Sequence, residues 1–215
     1  MNSVPLYLAS SNPGKLRESR NAAALRGVVI EALPGFSDLP TCVEDGATFR
    51  ENACKKALHY GRMFEGLVFA DDSGICLNAL HGAPGIHSAR YAGPAASDRQ
   101  NNEKMLRELH RAELAHSAQS GGMDHHSLPG NRAAHYICVI ALAERDRILA
   151  VVEGRADGLI VDQPRGSGGF GYDPYFLYPA LGRTFAELTA EEKFAVSHRG
   201  AAFNKLIDYQ LEEGR

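Results

Sequence analysis

Val4-Pro5-Leu6-Tyr7-Leu8-Ala9-Ser10-Ser11-Asn12-Pro13-Gly14-Lys15 decides the fold class. Val4 to Ala9 is an apolar run of strand length, and Ser10 to Gly14 is a polar turn. From Lys15 to about Arg26 good helix formers dominate. A strand, a tight turn and a helix in that order open an α/β chain. Outward from this unit the alternation continues. Val28-Val29-Ile30 reads as a second short strand, and a Pro- and Gly-rich loop follows from Pro34 to Gly46. Thr48-Phe49-Arg50-Glu51 is a capping-box signature, which starts a helix expected to reach about Met63. Leu67-Val68-Phe69-Ala70 is a strand that ends in Asp71-Asp72-Ser73-Gly74. Asp98 to about Ala115 is a helix whose apolar face is expected to hold Met105, Leu106, Leu109 and Leu114. His135 to Ala143 and Ile148 to Ala156 are strands joined by the polar turn Glu144-Arg145-Asp146-Arg147. His198 to Glu213 is an amphipathic helix with Phe203, Leu206, Ile207 and Gln210 on its apolar side. Ser, Gly, His and Pro dominate Ala118 to Asn131, where no periodicity survives, so an exposed loop is expected there. The mixture predicts one central mixed sheet.

The chain has 215 residues, enough for one large domain or two closely packed lobes. Hydrophobic residues make up 44% and charged residues 23%, the balance of an ordinary globular protein, which excludes disorder, collagen-like repeats and coiled coil as whole-chain descriptions. With 23 basic against 26 acidic residues the formal charge is −3. That charge leaves no electrostatic footprint for duplex nucleic acid or an anionic membrane, although a small phosphorylated ligand needs only a local cluster of cations. Cys42, Cys54, Cys76 and Cys138 are scattered without zinc-finger or C-x-x-C spacing, so they read as thiols of a reduced protein. No basic residue precedes the short apolar stretch at the N-terminus, and the longest uninterrupted apolar run, Ile137 to Ala143, is far too short to span a membrane. A cytoplasmic location is expected.

Four segments carry chemistry. Ser10 to Lys15 places a turn and a helix start beside a lysine, which is a recipe for anion binding, although an ordinary turn with a solvated lysine has the same sequence. Asp71 and Asp72 are costly to bury unless paired or bound to a cation. Because successive strand residues face opposite ways, the two are expected to do different jobs. Such carboxylates suit Mg²⁺ if a triphosphate sits nearby, whereas an exposed Asp-Asp-Ser-Gly turn is the plain alternative. Gly166-Ser167-Gly168-Gly169-Phe170-Gly171 satisfies G-x-G-x-x-G literally, but Pro164 lies just before it and Asp173-Pro174 directly after, which rules out a dinucleotide fingerprint. Its glycines allow a flat ligand close to the backbone, Phe170 and Tyr172 are able to stack on a base, and Asp173 is able to bond its edge. Lys193, His198 and Arg199 form a cationic patch just before the last helix. None of the nine histidines lies in an H-E-x-x-H arrangement.

At these segments the sequence resembles the inosine triphosphate pyrophosphatase family. The resemblance rests on Ser11-Asn12-Pro13-Gly14-Lys15 with Glu18, on Thr48 to Ala53 with Lys56-Ala57, and on Ala70 to Gly74. It continues through Gly82 to Gly93, Gly168 to Pro174 and Ser197-His198-Arg199-Gly200, all in the family's order. It implies one domain over residues 1–215; the loop expected at 115–131 departs from the family in being longer than usual. The fold would be two-lobed α/β, built around a long twisted mixed sheet flanked by helices, with the ligand cleft between the lobes. It also implies a homodimer and Mg²⁺-dependent hydrolysis of ITP, dITP and XTP to the monophosphate and pyrophosphate. Ser10, Ser11, Asn12, Pro13, Gly14 and Lys15 would hold the phosphates, and Asp72 would be both the general base and a metal ligand. Glu44 is the other candidate metal ligand, in a Val43-Glu44-Asp45-Gly46 stretch where the family often has two consecutive glutamates. Ser73 would contact the nucleotide. Phe170, Gly171, Tyr172 and Asp173 would meet the base, and Lys193, His198 and Arg199 would donate to its 6-oxygen. Two other readings stay open: a related pyrophosphatase for modified pyrimidine or methylated nucleotides, and a nucleotide-binding sensor without catalysis.

Overall fold

The computed structural model describes residues 4–24, 26–119 and 132–213. Its first strand, β1 (Leu6–Leu8), leads into α1 (Pro13–Ala24), β2 (Ile30–Ala32), α2 (Phe49–Gly61) and β3 (Leu67–Leu77). Next come α3 (Asp98–Gln119), β4 (Ala133–Glu144) and β5 (Arg147–Ile160). The chain ends with β6 (Phe176–Tyr178), β7 (Arg183–Thr184), α4 (Ala190–Val196) and α5 (His198–Glu213). The strands form one open seven-stranded sheet in the order β2-β1-β3-β4-β5-β6-β7. β1 runs parallel to both β2 and β3, while β5, β6 and β7 are antiparallel neighbours, so the sheet is mixed and the fold is α/β as expected. Among the described residues no helix is long and apolar enough to cross a membrane.

The chain divides into two compact units that interleave along the sequence. One draws on 1–73, 137–155 and 194–215, the other on 74–136 and 156–193. In the first unit Leu6 and Leu8 of β1 pair in register with Leu67 and Phe69 of β3, and they bury their side chains with Ile140 and Leu142. α5 presents Phe203, Leu206 and Ile207 to the same core at helical spacing, and the Phe203 ring meets Phe69 edge-on at 5.5 Å. Gly154 on β5 lets the start of α5 approach, because a methyl group there would be driven into the His198 carbonyl oxygen. The second unit is built on aromatic packing. Phe176 lies 4.7 Å from both Tyr136 and Phe185, at tilts that suit aromatic quadrupoles.

Four expectations are corrected. β2 starts at Ile30, not at Val28. β3 does not stop at Ala70; it runs to Leu77, so Asp71 to Gly74 are strand residues and not a turn. α3 continues to Gln119, four residues beyond the expected end, and the rest of the expected loop lies outside the described residues. Leu114 is exposed although it was expected on the apolar face. At nine positions beyond Met105 it lies about half a turn round a helix of 3.6 residues per turn, whereas Leu109 stays beneath Met105.

Candidate active site

Asn12 caps α1, as its residue type favours. The Gly14 and Lys15 N–H groups donate to Asn12 Oδ1 at 2.8 and 3.4 Å, and Pro13 needs no acceptor. The Asn12 N–H donates to Ser10 Oγ at 3.2 Å. This fixes the turn after β1 and aims Lys15 at β3, where its Nζ lies 2.9 Å from Asp71 Oδ2. Arg199, near the start of α5, brings its Nε to 3.8 Å from the same oxygen. Arg199 Nη1 and Nη2 donate to Glu18 Oε2 at 2.7 Å and to Ser73 Oγ at 3.0 Å. Ser73 in turn donates to Asp71 at 3.3 Å. Burial pushes the Asp71 pKa up, but Lys15, Arg199 and Lys56 outweigh it and hold the carboxyl far below the usual carboxylate range. Burial and the Asp71 charge push the nearby Cys138 thiol up to about 12, so it is no nucleophile.

Asp72 has different partners, as the strand alternation requires. Asn52 Nδ2 donates to Asp72 Oδ2 at 3.1 Å, and Lys56 Nζ lies 3.5 Å from Oδ1. Lys56 also donates to Glu44 Oε2 at 2.7 Å, so two carboxylates converge on one ammonium. Asn52 Oδ1 accepts from the Gly46 N–H at 2.8 Å, which ties the loop carrying Glu44 to α2. Burial is the largest influence on Asp72. Together with the charge of Glu44 it lifts the carboxyl above its ordinary value, against the opposing pull of Lys56 and Asn52. Sequence reasoning assigns no role to Asn52 or Lys56. The signal for them is two polar residues four apart among Ala53 and Ala57 on the buried face of α2.

In the second unit the glycine loop is built around Asp173. Its Oδ2 accepts from the Phe170 N–H at 2.9 Å and from Lys193 Nζ at 2.7 Å, and its Oδ1 accepts from the Tyr136 hydroxyl at 3.4 Å. Lys193 Nζ also sits 4.8 Å from the centre of the Phe170 ring. With both oxygens committed and the side chain buried, Asp173 anchors the loop and does not present a free edge to a base. Tyr172 departs from expectation in the same way. It is only 4% exposed and its hydroxyl donates to the Ser88 carbonyl, so it is a wall of the fold, while Phe170 is less enclosed.

The expected site residues thus divide between the units. Ser10 to Lys15, Glu44, Asp72, Ser73, His198 and Arg199 belong to the first; Phe170, Gly171, Tyr172, Asp173 and Lys193 belong to the second. Lys15, Ser73 and Arg199 gather around Asp71, and Glu44 and Asp72 gather around Lys56. His198 opens α5 as a buried residue.

Comparison with known proteins places these residues in context. The family model described as the Ham1 family matches residues 6–209. A dITP/XTP pyrophosphatase of Geobacillus kaustophilus is 44% identical over 208 residues, which cover 97% of this chain and 94% of that one. A dITP/XTP pyrophosphatase of Syntrophobacter fumaroxidans is 46% identical over 96% of this chain and 81% of its own length. Among solved structures, a HAM1 protein from Coxiella burnetii superposes with a TM-score of 0.80 at 39% identity, covering 97% of this chain and 99% of that one.

Proposed function

The chain belongs to the Ham1 family, and from that premise we infer its reaction: it hydrolyses non-standard purine nucleoside triphosphates, dITP and XTP among them, to the monophosphate and pyrophosphate. The observation that carries this reading is the divergence of two adjacent aspartates. Asp71 is a fixed anion inside a cage of cations, whereas Asp72 is a carboxylate whose proton affinity burial has raised. Asp72 lies outside the Lys15 and Arg199 cage, held by Asn52 and Lys56, which leaves it the carboxylate suited to take a proton from the attacking water. Lys15 and the turn from Ser10 to Gly14 bind and orient the phosphates, with Ser73 contacting the nucleotide. Asn52 and Lys56 hold the Asp72 carboxylate in place.

The donor set of Asp72 and Glu44 fits Mg²⁺. Both carboxylates already converge on one cation, and Mg²⁺ is commonly held by one or two carboxylates together with substrate phosphates. Among the described residues no group of three or more His, Cys, Asp or Glu could hold a metal alone, so water and substrate phosphate oxygens would complete the site. When bound there, Mg²⁺ supplies neutralisation of phosphate charge and stabilises the departing pyrophosphate. On the base side we assign Phe170 to stacking, Lys193, His198 and Arg199 to donation toward the 6-oxygen, and Asp173 and Tyr172 to holding the Gly171 loop in shape. A homodimer and a cytoplasmic location belong to the same reading. The four cysteines are free thiols, which supports a reducing compartment, and sedimentation velocity tests the dimer.

The test is direct. Purified protein is incubated with ITP, dITP, XTP, ATP or GTP and Mg²⁺, and both pyrophosphate and orthophosphate are measured. Pyrophosphate from the first three substrates with slow turnover of ATP and GTP is expected. Orthophosphate as the product would overturn cleavage between the α- and β-phosphates.

A further inference from the structure

Gly171 is gripped at both of its backbone polar atoms by one helix. Its N–H donates to Asp98 Oδ2 at 2.7 Å, and its carbonyl accepts from Asn102 Nδ2 at 2.8 Å. Asp98 and Asn102 are four residues apart in the first turns of α3, so they lie one above the other on one helix face. The second hydrogen of Asn102 Nδ2 goes to the Asp98 carbonyl at 2.8 Å. Two carbonyl oxygens facing one atom require a double donor there, which only the amide nitrogen provides. Asn102 is 6% exposed, and its Oδ1 is buried with no hydrogen-bond partner among the described residues. Burying an unsatisfied acceptor is costly, so what the site gains from this side chain is the donor end. Gly171 itself has φ +63°, and a methyl group there would meet nothing within 4 Å. The glycine therefore serves the backbone conformation and not a lack of room.

We propose that Asp98 and Asn102 are positioning residues for base recognition. Between them they fix both peptide groups of Gly171 and thereby set the direction in which the Phe170 ring faces the base. The inference rests on the reading that the loop from Gly166 to Asp173 contacts the base. The loop's other tethers lie elsewhere: the Gly168 N–H donates to the Ala186 carbonyl at 2.9 Å, and the Phe170 N–H donates to Asp173. Without the grip from α3, the peptide after Gly171 loses a tether and the peptide before it keeps only the 3.3 Å bond from the Asp173 N–H to the Phe170 carbonyl, so the loop is held less firmly and the cost falls on binding. Asp72, Asn52 and Lys56 have no part in this grip.

The variants Asn102→Ala and Asp98→Ala, assayed with ITP and ATP, test the proposal. Loss of one hydrogen bond of this kind predicts a KM for ITP raised about 3- to 10-fold, a smaller change in kcat and a narrower ITP-to-ATP ratio. Asp98→Asn keeps an acceptor for the Gly171 N–H and restores the wild-type KM. Asn102→Asp sets a carboxylate against two carbonyl oxygens and is at least as damaging as Asn102→Ala. Leu109→Ala loosens the buried side of the same helix without touching the loop, so it lowers Tm and leaves KM unchanged. Unchanged KM and base preference in both alanine variants would overturn the proposal, as would an equal KM increase from Leu109→Ala. Phe170→Ala, measured alongside, separates the two levels. If it leaves KM and base preference unchanged, the loop is not the base site and the underlying reading fails. If it raises KM while the Asp98 and Asn102 variants do not, the positioning role alone fails.

Discussion

Adjacent on β3, Asp71 and Asp72 receive opposite treatment because the pleat turns them toward different partners. Asp71 is an anion locked by Lys15 at 2.9 Å and by Arg199 at 3.8 Å. Removing its charge would leave two cations with little solvent and one fewer partner, which for buried pairs costs about 3–5 kcal/mol. Asp72 is held more loosely, by Asn52 and Lys56, and burial raises its proton affinity. Loss of a general base typically lowers rate by about 10²- to 10⁴-fold. Asp72→Asn is therefore expected to lower kcat by that order while thermal unfolding stays close to wild type, since the amide oxygen still accepts from Asn52 and Lys56 keeps its 2.7 Å partner Glu44. Steady-state kinetics beside a thermal melt decide it: wild-type turnover in a folded Asp72→Asn protein would remove Asp72 from the chemistry.

Elements are where sequence and structure agree best, and where their disagreements have plain causes. α5 matches its expected span of His198 to Glu213, because Phe203, Leu206 and Ile207 recur at helical spacing and all reach the core. β3 was harder to read. Asp-Asp-Ser-Gly looks like a turn locally, and the residues that let it remain a buried strand, Lys15, Lys56 and Arg199, come from three distant helices. The close approach of α5 to β5 depends on Gly154, where added atoms would collide with the His198 carbonyl and the Ala202 N–H. Overpacking of this kind costs about 1–3 kcal/mol, so Gly154→Ala is expected to lower stability by that amount in urea unfolding. An unchanged midpoint would show that α5 has slack. The middle of α3 is tied to Asp162: His110 Nε2 and Arg132 Nη1 each lie 2.8 Å from Asp162 Oδ1. The His110 hydrogen bond, with burial opposing and Arg132 assisting, holds the Asp162 pKa below 3.8. The folded state then binds fewer protons than the unfolded state in that window, so this contribution is full above the ordinary carboxylate value and is lost as pH falls through the lowered one. Asp162 is half exposed, so the effect is small. Asp162→Asn is expected to flatten the acid side of the stability profile, and urea midpoints taken on both sides of the ordinary carboxylate value measure it.

At the scale of the whole molecule, the alternation of strands and helices was legible in the sequence, and so were the chemical segments, because turns, caps and apolar runs are local signals. The interleaving of two units was not. Residues 137–155 and 194–215 join the first unit through packing against β1 and β3, and no local signal records which distant strands a segment will meet. Nor does sequence show that Tyr172 and Asp173 are committed internally, since the Ser88 carbonyl and Lys193 lie far along the chain. Lys15 and Asp72 belong to the first unit, while Phe170 and Lys193 belong to the second. A lysine that meets phosphates carries no information about the base, so Lys15→Ala is expected to raise KM for ITP and ATP by a common factor. Loss of a hydrogen bond to a charged group puts that factor at roughly 10- to 100-fold. Donors aimed at a 6-oxygen behave differently, because adenine has an amine at that position and leaves them unpaired. A site built on such donors rejects the wrong base by roughly 10⁴-fold or more. His198→Ala and Lys193→Ala are therefore expected to lower kcat/KM for ITP much more than for ATP and so narrow the ratio. Lys193 also neutralises Asp173, so Lys193→Ala must be checked for folding by near-UV circular dichroism before its kinetics are read. If Lys15→Ala shifted the ratio while both of the other variants left it unchanged, the assignment of phosphate and base contacts to these residues would have to be reversed.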